Sequence, residues 1–249
     1  MGPILILGGT TEASALAAAL ARRGDRVVLS YAGRTARPRA QPVPIRIGGF
    51  GGADGLAAYL REQGIRYLVD ATHPFAATMS GNAIAASARA AVPLIALTRP
   101  AWVPVEGDRW MHVPDIAAAI AALNGPTRRV MLALGRMHAD AFSAQPQHHY
   151  LLRFVDAPAV LPSLPDHRLV IDRGPFTVTS DLALMRENAI DLVVAKNAGG
   201  TGAAAKLEAA RALGLPIIMI DRPSIADRHT VHDVGQVLRW IDHGVDRGV

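Results

Sequence analysis

Short runs of continuously apolar residues recur along this chain, each followed by a segment of helical periodicity. The runs are ILIL at 4–7, VVLSY at 27–31, IRI at 45–47, YLVDA at 67–71 and PLIAL at 93–97. Amphipathic segments at 11–23, 53–63 and roughly 76–91 lie between them, and Gly24 and Gly64 stop the first two. A strand apolar at every position is covered on both faces, the condition of a strand inside a parallel sheet. Strands alternating with helices build βαβ units and a doubly wound sheet.

The rhythm breaks at Thr98-Arg99-Pro100-Ala101-Trp102-Val103-Pro104, where two prolines mark a linker. A second series then runs WMHV at 110–113, a helix near 115–123, VMLAL at 130–134, YLLRFV at 150–155 and LVI at 169–171. It continues with helices at about 179–188 and 202–213 around LVVA at 192–195, and ends in IIMI at 217–220. The expected fold is α/β, two Rossmann-like domains with parallel sheets, at 1–99 and 100–249. A final amphipathic helix, about 232–243, has Val234, Val237, Leu238 and Ile241 on one stripe, and the pattern leaves its packing open. The 249 residues provide core volume for both domains.

Composition removes several classes of function. With no cysteine, thiol catalysis, iron–sulfur chemistry and a Cys-ligated zinc site are excluded. The first residues have no basic leader and only four consecutive apolar residues, and no uncharged run approaches a membrane span, so a cytoplasmic protein without membrane contact is expected. The net charge of +5 is concentrated: residues 1–99 hold 11 basic and 5 acidic side chains. Aromatics are 5%, and the surplus gathers at Arg34, Arg37, Arg39 and Arg46, which suits a local anion site better than a nucleic-acid surface.

The first strand ends in Gly8-Gly9-Thr10-Thr11-Glu12, and a helix follows at once. Glycines at such a turn let the backbone approach a diphosphate, and the helix start adds unpaired N–H groups and a positive dipole end. The third glycine of the dinucleotide fingerprint is replaced by Ala13. With Gly9 as cap, Glu12 would occupy the third helical position. An NAD site places a carboxylate about 20 residues on, for the ribose hydroxyls. Here Asp25 is the only acid between Glu12 and Asp54, and the second strand leads into Ser30 and Arg34. A guanidinium and a hydroxyl suit a 2′-phosphate, so NADPH is the expected cofactor. A solvated loop arginine is the competing account of Arg34, and the better one for Arg37 and Arg39.

Two further segments carry chemistry. Asp70-Ala71-Thr72-His73-Pro74-Phe75-Ala76 lies at the carboxyl end of the fourth strand, where open α/β sheets bind ligands. Pro74 suits a first helical position with Thr72 or His73 as cap. His73 is a candidate acid or base, and Thr72 and Pro74 are candidates to line the cofactor. Of the 26 basic residues only two are lysines, Lys196 and Lys206, and both bound one glycine turn, KNAGGTGAAAK. In a chain so biased to arginine, these positions suit a compact ammonium. Lys206 also reads as a surface residue of the following helix.

Together these motifs resemble the precorrin-6A reductase family, NADPH-dependent enzymes of cobalamin (vitamin B12) biosynthesis that include cobalt-precorrin-6A reductases. The similar segments are LILGGTTEA at 5–13, DATHPFA at 70–76, RGPFT at 173–177 and the stretch from Lys196 to Pro223. Ala198 departs from the family pattern, in which Ser is expected; a substrate contact by that hydroxyl is then either missing here or replaced by Thr201. The resemblance implies NADPH on the first domain, a tetrapyrrole in a cleft between domains, and reduction of one macrocycle double bond to give precorrin-6B. The substrate's carboxylates would then meet Arg153, Arg173, Lys196, Asn197, Gly199, Gly200, Thr201 and Lys206. His73 and Lys196 are the catalytic candidates, with Asp172 or solvent as alternative proton sources.

Rival classes make separable demands. A short-chain dehydrogenase needs Tyr-x-x-x-Lys, whereas Leu192 and Gly202 stand four residues before the two lysines. A non-catalytic NADPH sensor would bind cofactor without turnover, and a phosphate-ligand transferase would leave NADPH absorbance unchanged. A metal site is not expected: His229 and His232, with Asp227 and Asp233 nearby, read as a solvated helix approach, and His148-His149 as the lead-in to a strand.

Overall fold

Every apolar run becomes a strand, and every strand pairing is parallel. This computed structural model describes residues 2–33, 40–174 and 176–246. The first series forms β1 (Ile4–Leu7), α1 (Thr11–Arg22), β2 (Val27–Tyr31), β3 (Ile45–Ile47), α2 (Gly52–Glu62), β4 (Tyr67–Asp70), α3 (Ala77–Ala90) and β5 (Leu94–Leu97). The second forms β6 (Arg109–Val113), α4 (Ile116–Ala121), β7 (Arg129–Ala133), β8 (His149–Phe154), β9 (His167–Ile171), α5 (Val178–Glu187), β10 (Leu192–Lys196), α6 (Ala205–Ala212) and β11 (Pro216–Ile220). β12 (Thr230–Val231) and α7 (Val234–Asp246) complete the chain, and two short 3-10 turns, Arg136–His138 and Asp140–Ala144, follow β7.

The sheets run β12-β5-β4-β1-β2-β3 and β6-β11-β10-β7-β8-β9. Both place their first wound strand, β1 or β7, third from one end, with the next two strands on one side and the following two on the other. The sixth strand differs in origin. In the first sheet it is β12, supplied after the second unit is finished, and in the second it is β6, which precedes β7.

The chain therefore divides into two units, 1–100 with 224–249, and 101–223. The expectation that the second domain runs to residue 249 is corrected to an end at Pro223. A two-residue strand leaves no periodicity to read, so β12 escaped the sequence pattern. The final helix joins the first unit: Val237 and Ile241 are buried in one cluster with Leu16 and Leu20 of α1. Each fully buried Leu or Ile contributes roughly 1.5–3 kcal/mol of transfer free energy. Truncating Leu16 or Leu20 would therefore loosen α1 and α7 together. Among the described residues no helix is long and apolar enough to cross a membrane.

Candidate active site

In the first unit β1 lies between β2 and β4, and its last residue, Leu7, is level with Ser30 on one side and Asp70 on the other. Successive connections leave β1 in opposite directions here, the place where doubly wound sheets bind ligands. The Gly8 N–H donates to the Ser30 carbonyl at 2.8 Å. A Cβ on Gly8 would stand 2.6 Å from Leu29 Cδ1, so glycine allows the close packing of turn on strand. Gly9 has φ +119° and faces open space.

The helix cap is Thr10, not Gly9. Its Oγ1 accepts from the Ala13 N–H at 3.1 Å and donates to the Ala71 carbonyl at 2.8 Å. Glu12 thus moves to the second helical position. Thr11 and Glu12 carry N–H groups that an α-helix leaves without internal acceptors. An extended backbone and a side-chain acceptor for a first-turn N–H are the features of a helix cap, and Thr10 has both.

Asp70 organises the neighbouring loop. Its carboxylate is 2% exposed and accepts from the Thr72 N–H (3.2 Å), Thr72 Oγ1 (2.7 Å) and Ser80 Oγ (2.6 Å), with Arg228 Nη2 at 3.4 Å. The expected helix start at Pro74 is corrected: α3 begins at Ala77, and Pro74 and Phe75 form a turn closed by the Ala76 N–H on the His73 carbonyl at 2.7 Å. Proline's fixed φ suits the second residue of such a turn. His73 Nδ1 accepts from the Phe75 N–H at 3.2 Å. That bond leaves the proton of a neutral ring on Nε2.

Three arginines at this edge play parts the sequence reading did not give them. Arg99 reaches Glu12 at 3.6 Å and Arg228 reaches Asp70, and each has a buried Nε with no hydrogen-bond partner among the described residues. Arg46, level with Ser30, donates to the carbonyls of Gly48 (2.5 Å) and Gly49 (2.8 Å) while stacking 3.7 Å from the Phe50 ring centre. Ser30, Gly8, Gly48, Gly49, Phe50 and Thr72 line a small depression beside the turn. Arg34, the expected partner of a 2′-phosphate, lies outside the described residues, as do Arg37 and Arg39.

In the second unit the KNAGGTG segment leaves β10, level with the end of β7 (Ala195 beside Ala133). Gly199 and Gly200 have φ +70° and +73°, values that favour glycine. Two side chains from outside the segment set its peptide planes. Arg222 donates from Nε to the Asn197 carbonyl (2.9 Å) and from Nη2 to that of Ala198 (3.1 Å). Trp102 Nε1 donates to the Gly200 carbonyl (2.8 Å), and Asn197 is doubly bonded to the Trp102 backbone. A trans peptide directs its N–H opposite to its C=O, so the Gly199 and Thr201 N–H groups face away from these braces. Neither has an acceptor among the described residues. Successive amides presented in this way form an anion-binding concavity.

The expected carboxylate partners sort unevenly. Lys196 ends β10 at the start of the turn. Lys206 is 5% exposed, donates to the Ala203 carbonyl at 2.6 Å and lies 4.7 Å from the Trp102 ring centre, so it supports the turn from within. Arg153, whose side chain is 7% exposed, is ion-paired to Asp181 and stacked at 3.7 Å on Phe176. Arg173 pairs with Asp156 at 2.7 Å on the surface, and Asp172 is exposed. His148 is a structural residue, accepting from the Arg128 N–H and donating to the Leu123 carbonyl. His229 packs against Trp240 and His232 meets the Thr98 carbonyl.

Two doubly wound parallel sheets, each with a glycine turn at its carboxyl edge, define an α/β protein of Rossmann type. Over residues 3–242 the sequence matches the family described as precorrin-6x reductase CbiJ/CobK, and the chain belongs to that family. It is 57% identical to the precorrin-6A reductase of Rhodobacter capsulatus, over 100% of both chains, and 50% identical to that of a Sinorhizobium species, over 96% and 92%. The cobalt-precorrin-6A reductase of Priestia megaterium is 32% identical over 89% of this chain and 91% of its own. A solved structure of CobK precorrin-6A reductase superposes with a TM-score of 0.94 at 57% identity, covering 98% of each chain.

Proposed function

We propose that this chain is an oxidoreductase of cobalamin biosynthesis that reduces one ring double bond of precorrin-6A, with NADPH as reductant, to give precorrin-6B. The observation that carries the reading is full-length identity of 57% to a protein of that activity. Greater similarity to precorrin-6A reductases than to the cobalt-specific relative supports the metal-free macrocycle as substrate. The residues at the β1 edge fit a dinucleotide: a bare glycine approach at Gly8 and Gly9, two orphan helix amides, and buried unpartnered guanidinium nitrogens on Arg99 and Arg228. The choice of NADPH over NADH rests on the missing carboxylate after β2, with Ser30 and Arg34 in its place.

The bound nicotinamide supplies a hydride to one carbon of the double bond. A proton must reach the other carbon, leaving a CH–CH unit and oxidised cofactor. His73 is assigned that proton, because its Nδ1 is engaged as an acceptor and its Nε2 is the end that donates. Thr72 and Pro74 shape the loop that presents it, and Asp70 fixes that loop from below. Lys196 and the amides of Gly199 and Thr201 hold substrate carboxylates, an arrangement whose contribution is positioning, while Asn197, bonded to the Trp102 backbone, supports the turn. Anaerobic incubation with precorrin-6A and NADPH, followed at the nicotinamide absorbance, tests the assignment. Oxidation that depends on precorrin-6A supports it; binding of NADPH without oxidation contradicts it.

A further inference from the structure

β7 is the first wound strand of the second sheet and lies between β8 and β10, so its carboxyl end is that sheet's switch point. No α-helix starts there. Gly135, with φ +74°, opens the 3-10 turn Arg136–His138, which puts Arg136 and Met137 in solvent and leaves His138 half-buried. Met137 is 60% exposed. Register places Leu132 beside Leu152 and Phe154 beside Ile171, so the chain leaves β7, β8 and β9 at one edge. Val155 and Ile171, both 47% exposed, stand at that edge. A single exposed apolar side chain is ordinary, but Met137 in the turn after β7, Val155 just past β8 and Ile171 at the end of β9 lie at the same end of three neighbouring strands, with Arg136 and His138 in the first of these turns.

We propose that this edge is a further substrate contact: Met137, Val155 and Ile171 form an apolar shelf under the tetrapyrrole, and Arg136 and His138 meet carboxylates on its rim. The proposal rests on the reading that precorrin-6A is the substrate. It extends the substrate's footprint from the Lys196 turn across β7 to β9. The chemistry is complementary on both counts, since a tetrapyrrole is a broad apolar body edged with carboxylates. Arginine recognises a carboxylate through two parallel N–H bonds, and an unbranched methionine adapts to a large flat surface.

Steady-state kinetics with precorrin-6A and NADPH test it in Arg136→Ala, Arg136→Lys and Met137→Glu, with unfolding temperature as the folding control and Arg136→Gln held in reserve should the alanine variant fold poorly. Arg136→Ala is expected to raise KM for precorrin-6A about tenfold, with kcat and KM for NADPH little changed, and Arg136→Lys to recover part of the loss. Met137→Glu, which sets a carboxylate against the substrate's own, is expected to raise the same KM about as much. If these variants keep the wild-type KM while Lys196→Ala raises it, the shelf is wrong and the functional reading stands. If Lys196→Ala also leaves it unchanged, the shelf fails together with the substrate placement on which it depends.

Discussion

The two units share one strand order but put their glycine turns after different strands. In the first, the turn follows the first wound strand and runs at once into α1, twelve residues long and capped by Thr10. Its free amides therefore sit at the positive end of a helix dipole, which favours a compact, doubly charged group such as a diphosphate. In the second, the strand at the same position, β7, leads into a 3-10 turn, and the glycine turn follows β10 instead. Its helix, α6, begins only at Ala205 and has no side-chain cap. Here the amides are aimed by Trp102 and Arg222 rather than by a helix. A braced loop with cations beside it suits separated carboxylates on a large ligand. The same fold thus holds its two glycine turns by different means, and the proposed division of ligands follows from that difference.

The largest effect that bears on this contrast is expected at Asp70. Asp70→Ala removes the acceptor of three hydrogen bonds and leaves Arg228 buried without its counter-charge, at a cost of about 3–5 kcal/mol. Urea unfolding would measure it. Next, Arg222→Ala releases the carbonyls of Asn197 and Ala198, so KM for the tetrapyrrole is expected to rise about tenfold while KM for NADPH holds. A rise in both would mean that the turns are not separate devices. Thr10→Val, which removes the cap of α1 and its tie to Ala71, is expected to cost about 1 kcal/mol and to raise KM for NADPH alone. Thr10→Ser should restore both.

The smallest effect appears only in alkali. Burial pushes the Tyr150 hydroxyl up from its usual 10 to about 12. The folded protein then keeps a proton that the unfolded chain releases. Stability is unaffected below pH 10 and falls as pH rises from 10 towards 12. Tyr150→Phe should flatten that slope in a denaturation series, at the loss of the hydroxyl's bonds to the carbonyls of Phe142 and Gln145. A slope unchanged by the substitution would assign the alkaline loss to another group.

Much of this architecture is legible in the sequence because it is written locally. Apolar runs and glycine stops announce βαβ units, and strand-end motifs mark the candidate edges. What escaped is non-local. Trp102 and Arg222 are connector residues whose importance lies in carbonyls 98 and 25 positions away in the chain. The pairing of Arg153 with Asp181, 28 residues on, likewise has no local signal in the sequence. The cap at Thr10 was hidden by the glycine beside it. Strand β12 was too short to show a pattern, so the first unit's last strand was counted with the second and the packing of the final helix stayed open. Lys206 illustrates a different case: its rarity drew attention to this turn, and burial beside Trp102 makes it part of the turn's support.

A crystal structure of this chain with NADPH bound tests the central claim most directly. The account expects the diphosphate against the Gly9, Thr10 and Thr11 backbone at the start of α1, with the Gly199–Thr201 amides left for the tetrapyrrole. Nucleotide phosphates seated on Gly199 to Thr201 would contradict it.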